Sequence, residues 1–411
     1  MLKLMKRLRG LGPGLLVTAA FIGPGTVTTA SIAGARFGFA LLWAVLFSTL
    51  ATIILQEMAA RVGAVARMEL GEALRASLTN PTLRLIAVAV VVIAIAFGNA
   101  AYEMGNIAGA AMALESVTSV DRRVWSLLVG AAAMALLSLG SYRRLERGLI
   151  VLVALMSAAF VTTAVIVRPD VTELARGLVT PRVPTGSLFT IVALIGTTVV
   201  PYNLFLHASA VRAKWEAVDD PEATLRAVRW DTGFSIAIGG AVTAAILATA
   251  ATLFEKGSDI ESVGAMADQL GPLFGTTARP LFAAGLVAAG VTSAVTAPLA
   301  AAYATAGVLG WDRDRRSRRF RGVWMAIVLI GTVLAFVGDK PIQAILFAQA
   351  ANGVLLPIIA VFLIFVVNRK VLMRGYANGV LANVLGGAVV LVTAGLGIFQ
   401  LLKALGWVVA S

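Results

Sequence analysis

The amino-acid sequence predicts an all-α membrane protein with eleven transmembrane helices, and three observations carry that prediction. Of 411 residues, 59% are hydrophobic and only 13% charged, with a mean hydropathy of +0.91. Soluble globular domains carry about 25% charged residues and about 45–50% apolar ones. A soluble chain of this length would need several domains with polar exteriors, and the polar sequence is insufficient to cover them. The charges cluster in short runs between apolar stretches of more than 20 residues. Strands of a transmembrane barrel would instead alternate over segments of about ten residues.

Taken in order, the spans fall at 12–35, 39–60, 84–113, 124–141, 148–167, 186–211, 231–254, 275–306, 321–338, 341–367 and 378–402. The first has basic residues before an apolar run, as a signal peptide does. It continues past Gly25 to Gly34 and ten further spans follow, so it reads as the first helix. If the amino terminus (Lys3, Lys6, Arg7, Arg9) is cytoplasmic, the inside segments hold 24 of the 34 Lys and Arg residues and the outside segments 10. That bias places the amino terminus inside and the carboxy terminus outside, in a plasma (inner) membrane. The richest loop, Asp312–Arg321, holds Arg313, Arg315, Arg316, Arg318, Arg319 and Arg321 and reads as a positive-inside anchor rather than a nucleic-acid site. The net charge of +13 is thus a topology signal.

Cysteine is absent and His207 is the one histidine, which removes thiolate chemistry and most nitrogen-rich metal sites. No Walker-type phosphate loop or nucleophile–base set is present, so neither an ATP-driven pump nor an enzyme is expected, and no cofactor. Two spans carry the chemistry. Span 1 reads Gly23-Pro24-Gly25-Thr26 at mid-depth, and span 6 reads Thr197-Thr198-Val199-Val200-Pro201-Tyr202-Asn203. A proline removes a backbone donor and displaces the preceding turn. The groups it frees are tolerated at membrane depth only inside protein or beside a wet cavity. The breaks open the first helix of each of two five-helix blocks, the pattern of a transporter with inverted repeats and a midplane site.

Gly12-Pro13-Gly14 leading to Gly23-Pro24-Gly25-Thr26, Gln56-Glu57-Met58-Ala59-Ala60-Arg61, and Val200-Pro201-Tyr202-Asn203-Leu204-Phe205-Leu206-His207 resemble the Nramp family of divalent-metal transporters. The rhythm of the spans extends the resemblance over essentially the whole chain. It implies a LeuT-like fold in one transmembrane unit, with a first repeat at about 12–167, a second at about 186–367 and an extra helix at about 378–402. Helices 1 and 6 would be unwound around a central site that works by alternating access. The family typically couples import of manganese, iron or related metals to protons.

The departures fall on the chemistry. Where the family's first break reads Asp-Pro-Gly-Asn, with Asp and Asn as metal ligands, this chain has Gly23 and Thr26. Where the second reads Met-Pro-His-Asn, it has Val200, Pro201, Tyr202 and Asn203. A small Ala of the family is Thr197 here, while Gln349 matches a tenth-helix Gln that reaches the substrate, with Asn352 one turn away. The remaining donors are neutral oxygens. They suit a cation that keeps part of its water, as magnesium does, or the hydroxyl and amide groups of a neutral solute such as a sugar.

Glu103 matches a proton-pathway Glu of the family and shares a helix face with Asn99 and Asn106, while the family's second acid is replaced by Ala100. His207 reads either as a hydrogen-bonded core residue or as proton-linked. Glu57 and Arg61, at i and i+4, suit a gating ion pair. Thr292, Ser293 and Thr296 are similar to hydroxyls that bind sodium in some LeuT-like transporters, which leaves protons or sodium as coupling ion. Three functions stay open: transport of a divalent cation, transport of a neutral polar solute, or a non-transporting signalling or scaffold role.

Overall fold

The computed structural model describes residues 12–404 except 140–142, 216–219, 313 and 315. The amino-terminal cations Lys3, Lys6, Arg7 and Arg9, together with Arg313 and Arg315, lie outside the described residues. The described chain is helical throughout, without strands. The helices used below are α1 (Pro13–Phe21), α2 (Pro24–Phe37), α3 (Leu42–Arg61), α4 (Pro81–Val117), α5 (Arg122–Leu139), α6 (Arg143–Ile166) and α7 (Val171–Val179). They continue with α8 (Leu188–Thr198), α9 (Pro201–Trp215), α10 (Pro221–Leu253), α11 (Ala278–Leu309), α12 (Arg318–Val337), α13 (Pro341–Val367) and α14 (Val380–Ala404).

Among the described residues, ten unbroken stretches are long and apolar enough to cross a membrane. The first of them, Pro24–Ala66, holds two crossings, and α10 shows why. The Arg229 side chain near the start of α10 donates to Glu57, at the end of α3, over 2.9 Å. Gly257, just past the other end of α10, donates its N–H to the Ala35 carbonyl near the end of α2 over 3.0 Å. Thus α2 and α3 run along α10 in opposite directions. Gly38 makes the turn between them at φ 60°, ψ −140°, a backbone conformation open to glycine alone. Eleven crossings result, as the hydropathy predicts.

The sixth crossing is central and others are peripheral. The most apolar stretch of Leu188–Trp215 is 94% buried within the protein, against 22% for α5 and α14, which turn Leu128, Leu391 and similar side chains outward. Small residues let the inner helices approach closely. A Cβ on Gly34 of α2 would stand 2.2 Å from the Leu247 carbonyl oxygen of α10, and one on Gly109 of α4 would stand 2.3 Å from Pro24. The sequence reading missed the short helices within its loops, among them Leu70–Ser77, α7 and Val263–Asp268. None of these exceeds three turns, too short for a hydropathy criterion built on crossing length.

Candidate functional site

The first crossing is broken between α1 and α2, but more narrowly than the sequence suggests. Only Ile22 and Gly23 leave the helix, because Pro24 takes the first position of α2. A proline there forfeits no bond, since the N–H of that position has no intrahelical partner. The same holds in the sixth crossing: Val199 and Val200 are non-helical, and Pro201 starts α9. The unwinding expected in helices 1 and 6 is thus confined to two residues in each.

The freed backbone groups at the first break are largely taken up. Ile22 donates to the Thr18 carbonyl over 3.1 Å and Gly23 to the Phe21 carbonyl over 3.0 Å. The Thr26 hydroxyl also donates to the Phe21 carbonyl. Having spent its proton there, Thr26 Oγ1 accepts from the Thr197 hydroxyl at 2.8 Å. Thr26 and Thr197, both fully buried, thereby staple the two broken helices together. The Tyr102 hydroxyl reaches the Ala20 carbonyl at 3.4 Å, and its ring meets that of Tyr202 edge to face at 5.5 Å.

Around this staple sit polar atoms with no partner. Both amide atoms of Asn203, Gln349 Oε1, Ser293 Oγ and the Tyr202 hydroxyl are buried and unbonded. Gln349 lies over Gly25, where a Cβ would meet its Nε2 at 2.2 Å, and Ser293 Oγ lies 3.2 Å from where a Gly23 Cβ would be. Of the three hydroxyls noted in span 8, Thr292 and Thr296 bond carbonyls of their own helix, at 2.7 and 3.0 Å. Only Ser293 is uncommitted. Val200 contributes an apolar, fully buried side chain. No group of three His, Asp or Glu able to hold a metal occurs among the described residues. Thr26, Thr197, Asn203 and Gln349 are all shut off from solvent, at 0–1% exposure.

An open pocket of about 780 Å³ is lined by Ile32 of α2, Phe189 of α8 and Leu346 of α13, with Asp259, Glu261 and Asp339 among its other walls. Those three apolar residues precede or follow Thr26, Thr197 and Gln349 on the same helices by about 5–12 Å of helix rise.

Glu103 is fully buried and has no ion-pair partner among the described residues; Asn106 Nδ2 donates to its Oε2 at 3.4 Å, while Oε1 is unbonded. Its side chain packs on Gly331 of α12. Asn99 donates to the Ile95 carbonyl of its own helix over 2.8 Å. His207 joins three helices. Gln56 Oε1 lies 3.0 Å from its Nδ1, and its Nε2 stands 3.5 Å from the Thr232 hydroxyl.

At the far end of α3 the predicted pair forms: Arg61 Nη2 donates to Glu57 at 3.0 Å. Arg61 also donates to the Tyr376 carbonyl at 2.9 Å and to Asn378 Oδ1 at 2.6 Å, and Glu57 holds Arg229. Sequence reasoning missed Asp231. Its carboxylate accepts the Gly12 and Gly14 N–H groups at 3.1 and 2.8 Å and so caps the start of α1. An acid at the edge of an apolar span was the available signal.

Known proteins resemble this chain over nearly its full length. The Nramp family profile, described as natural resistance-associated macrophage protein-like, matches residues 14–403. A divalent metal cation transporter MntH from Bradyrhizobium diazoefficiens is 32% identical, covering 88% of this chain and 82% of its own. One from Xylella fastidiosa is 30% identical, covering 88% and 78%. The crystal structure of a manganese transporter from Eremococcus coleocola superimposes with a TM-score of 0.77 at 22% identity, over 95% of this chain and 85% of that one. MhsT in complex with L-phenylalanine gives 0.56 at 15% identity, over 95% and 98%. The chain therefore belongs to the Nramp family, transporters rather than enzymes, and has their LeuT-like fold of eleven helices in a five-plus-five inverted repeat.

Proposed function

We propose that this protein is a secondary transporter that moves a small substrate by alternating access through the interior between its two broken helices. It acts as one transmembrane unit of two repeats, about 12–167 and 186–367, with an extra helix at 378–402. The relatives carry the name of divalent metal cation transporters, and a divalent cation is the substrate class we assign. The observation that carries the finer reading is the neutral, uncommitted polar set of Asn203, Gln349, Ser293 and Tyr202. Gly23, Thr26 and Val200 supply neither carboxylate nor thioether, and Thr26 is held by Phe21 and Thr197. A bare transition-metal ion needs anionic or soft ligands, whereas magnesium keeps several waters that neutral oxygens can hold. The substrate is then a partly hydrated, magnesium-like cation.

The same atoms favour a second reading, a neutral polar solute such as a sugar, because Asn203 offers both a donor and an acceptor. Glu103, with Asn106 and Asn99 beside it, and His207 are the proton or ion pathway, and Glu57 with Arg61 gates the inner side. The bias of Lys and Arg supports a cytoplasmic amino terminus and an outer carboxy terminus in the plasma membrane. The pocket beside Ile32, Phe189 and Leu346 then opens outward. Thermal stabilisation of the purified protein by magnesium, manganese and cadmium salts, beside sugars and amino acids, tests the choice. Stabilisation by a sugar and by no metal would replace the cation reading with the solute reading.

A further inference from the structure

We propose a second binding site, for a phosphate-class oxyanion, where α7 crosses the turn between α2 and α3. Glu173, Arg176 and Gly177 recur at i, i+3 and i+4, so one face of α7, with Thr180 just past its end, borders an open pocket of about 210 Å³. The other walls are the turn residues Phe37–Ala40, Arg182, and Ala251 and Lys256 at the end of α10. Three cations thus meet one carboxylate. Among the described residues no side chain pairs with Arg176, Arg182 or Lys256, although neighbouring Arg36 is held by Asp259 at 2.6 Å.

The backbone around these cations is closely packed. Gly177 packs against the Phe39 carbonyl, so closely that a Cβ would stand 2.3 Å from its oxygen, and the Trp43 indole donates to the Arg182 carbonyl at 2.8 Å. Asp170 caps α7 through the N–H groups of Thr172 and Glu173. Three cations grouped around one small pocket against a single carboxylate, Glu173, leave an excess of positive charge that suits an oxyanion, which guanidinium groups can grip bidentately. The pocket lies at the end of a crossing, where both lipid phosphates and dissolved anions have access. A bound anion would tie α7 and the end of α10 to the turn that carries the outer end of α2.

The test is thermal unfolding of the purified full chain, titrated with inorganic phosphate against chloride at matched ionic strength. It is repeated in phosphatidylglycerol and phosphatidylcholine vesicles. The comparison is with Arg176→Gln/Arg182→Gln/Lys256→Gln, three exposed substitutions, and with Arg84→Gln as a control cation elsewhere. We expect wild type and Arg84→Gln to be stabilised and the triple variant to need at least about tenfold more anion, by the strength of charge-assisted hydrogen bonds. Stabilisation by phosphate identifies a free anion, and stabilisation by phosphatidylglycerol alone identifies a lipid headgroup. If the triple variant responds as wild type does, or wild type responds to neither probe, there is no such site.

Discussion

The Glu57–Arg61 end of α3 and the midplane breaks are both polar, but they use polarity in opposite ways. At that end of α3 the charges are committed: Glu57 to Arg61 and Arg229, Arg61 to Tyr376 and Asn378, and Asn378 onward to Asn383 at 2.8 Å. At the midplane the groups are neutral, and several of the buried ones have no partner. A buried polar atom without a bond costs about 1–3 kcal/mol. The charged network therefore ties α3 to its neighbours, while the midplane keeps hydrogen-bonding capacity that is not spent within the protein.

That contrast predicts the largest effect at Arg61. Its guanidinium is buried and serves three partners on two segments, so Arg61→Ala should cost about 2–3 kcal/mol. Arg229, 55% exposed in its side chain, should cost under about 1 kcal/mol when replaced by alanine. Thermal unfolding of the two variants compares them directly, and equal losses would mean that the network does not centre on Arg61.

At the midplane the expectation reverses. Asn203→Ala and Gln349→Ala remove polar atoms that are unbonded within the protein, so stability should fall by no more than about 1 kcal/mol and can rise. Uptake into liposomes, of whichever solute stabilises the protein, should fall at least about tenfold, the loss expected for one or two hydrogen bonds. A stability loss as large as that of Arg61→Ala, with uptake intact, would make both side chains structural.

What could be read in advance follows the range of each interaction. Crossings announce themselves by hydropathy, the breaks by Pro24 and Pro201, and the Glu57–Arg61 pair by its spacing of four. These are local. The Thr26–Thr197 staple joins residues 171 apart, and nothing in either segment specifies the rotation that brings the hydroxyls together. Likewise Thr292, Ser293 and Thr296 look alike in sequence, yet two bond their own helix and one faces Gly23. Asp231 caps α1 from 217 residues away. Nor does a proline in the sequence give the width of a break, because at the first position of a helix it starts the helix rather than unwinding it.

Metal affinity sharpens the comparison further. Manganese should bind the wild-type midplane more weakly than micromolar, since Gly23, Thr26 and Val200 offer no anion or thioether. Gly23→Asp with Val200→Met should raise that affinity, but a Cβ at position 23 would stand 3.2 Å from Ser293 Oγ. Adding Ser293→Ala should therefore raise it again. Calorimetry resolves all three proteins. Micromolar manganese binding by wild type would overturn the neutral-site reading.

The smallest structural change with a functional readout is Glu103→Gln. The carboxyl is fully buried, keeps one oxygen unbonded, and receives only the Asn106 amide at 3.4 Å. A glutamine carbonyl accepts that same bond, and its shape fits the same contact with Gly331, so stability should stay within about 1 kcal/mol of wild type. What disappears is the ability to take up and release a proton at mid-membrane, where an ionisable side chain without a counter-charge is otherwise hard to account for. If Glu103 couples protons to transport, wild-type uptake in liposomes depends on pH and the glutamine variant gives a flat profile at preserved expression. Should both proteins show the same pH profile, Glu103 is a packing residue of α4 and α12, and the coupling group lies elsewhere.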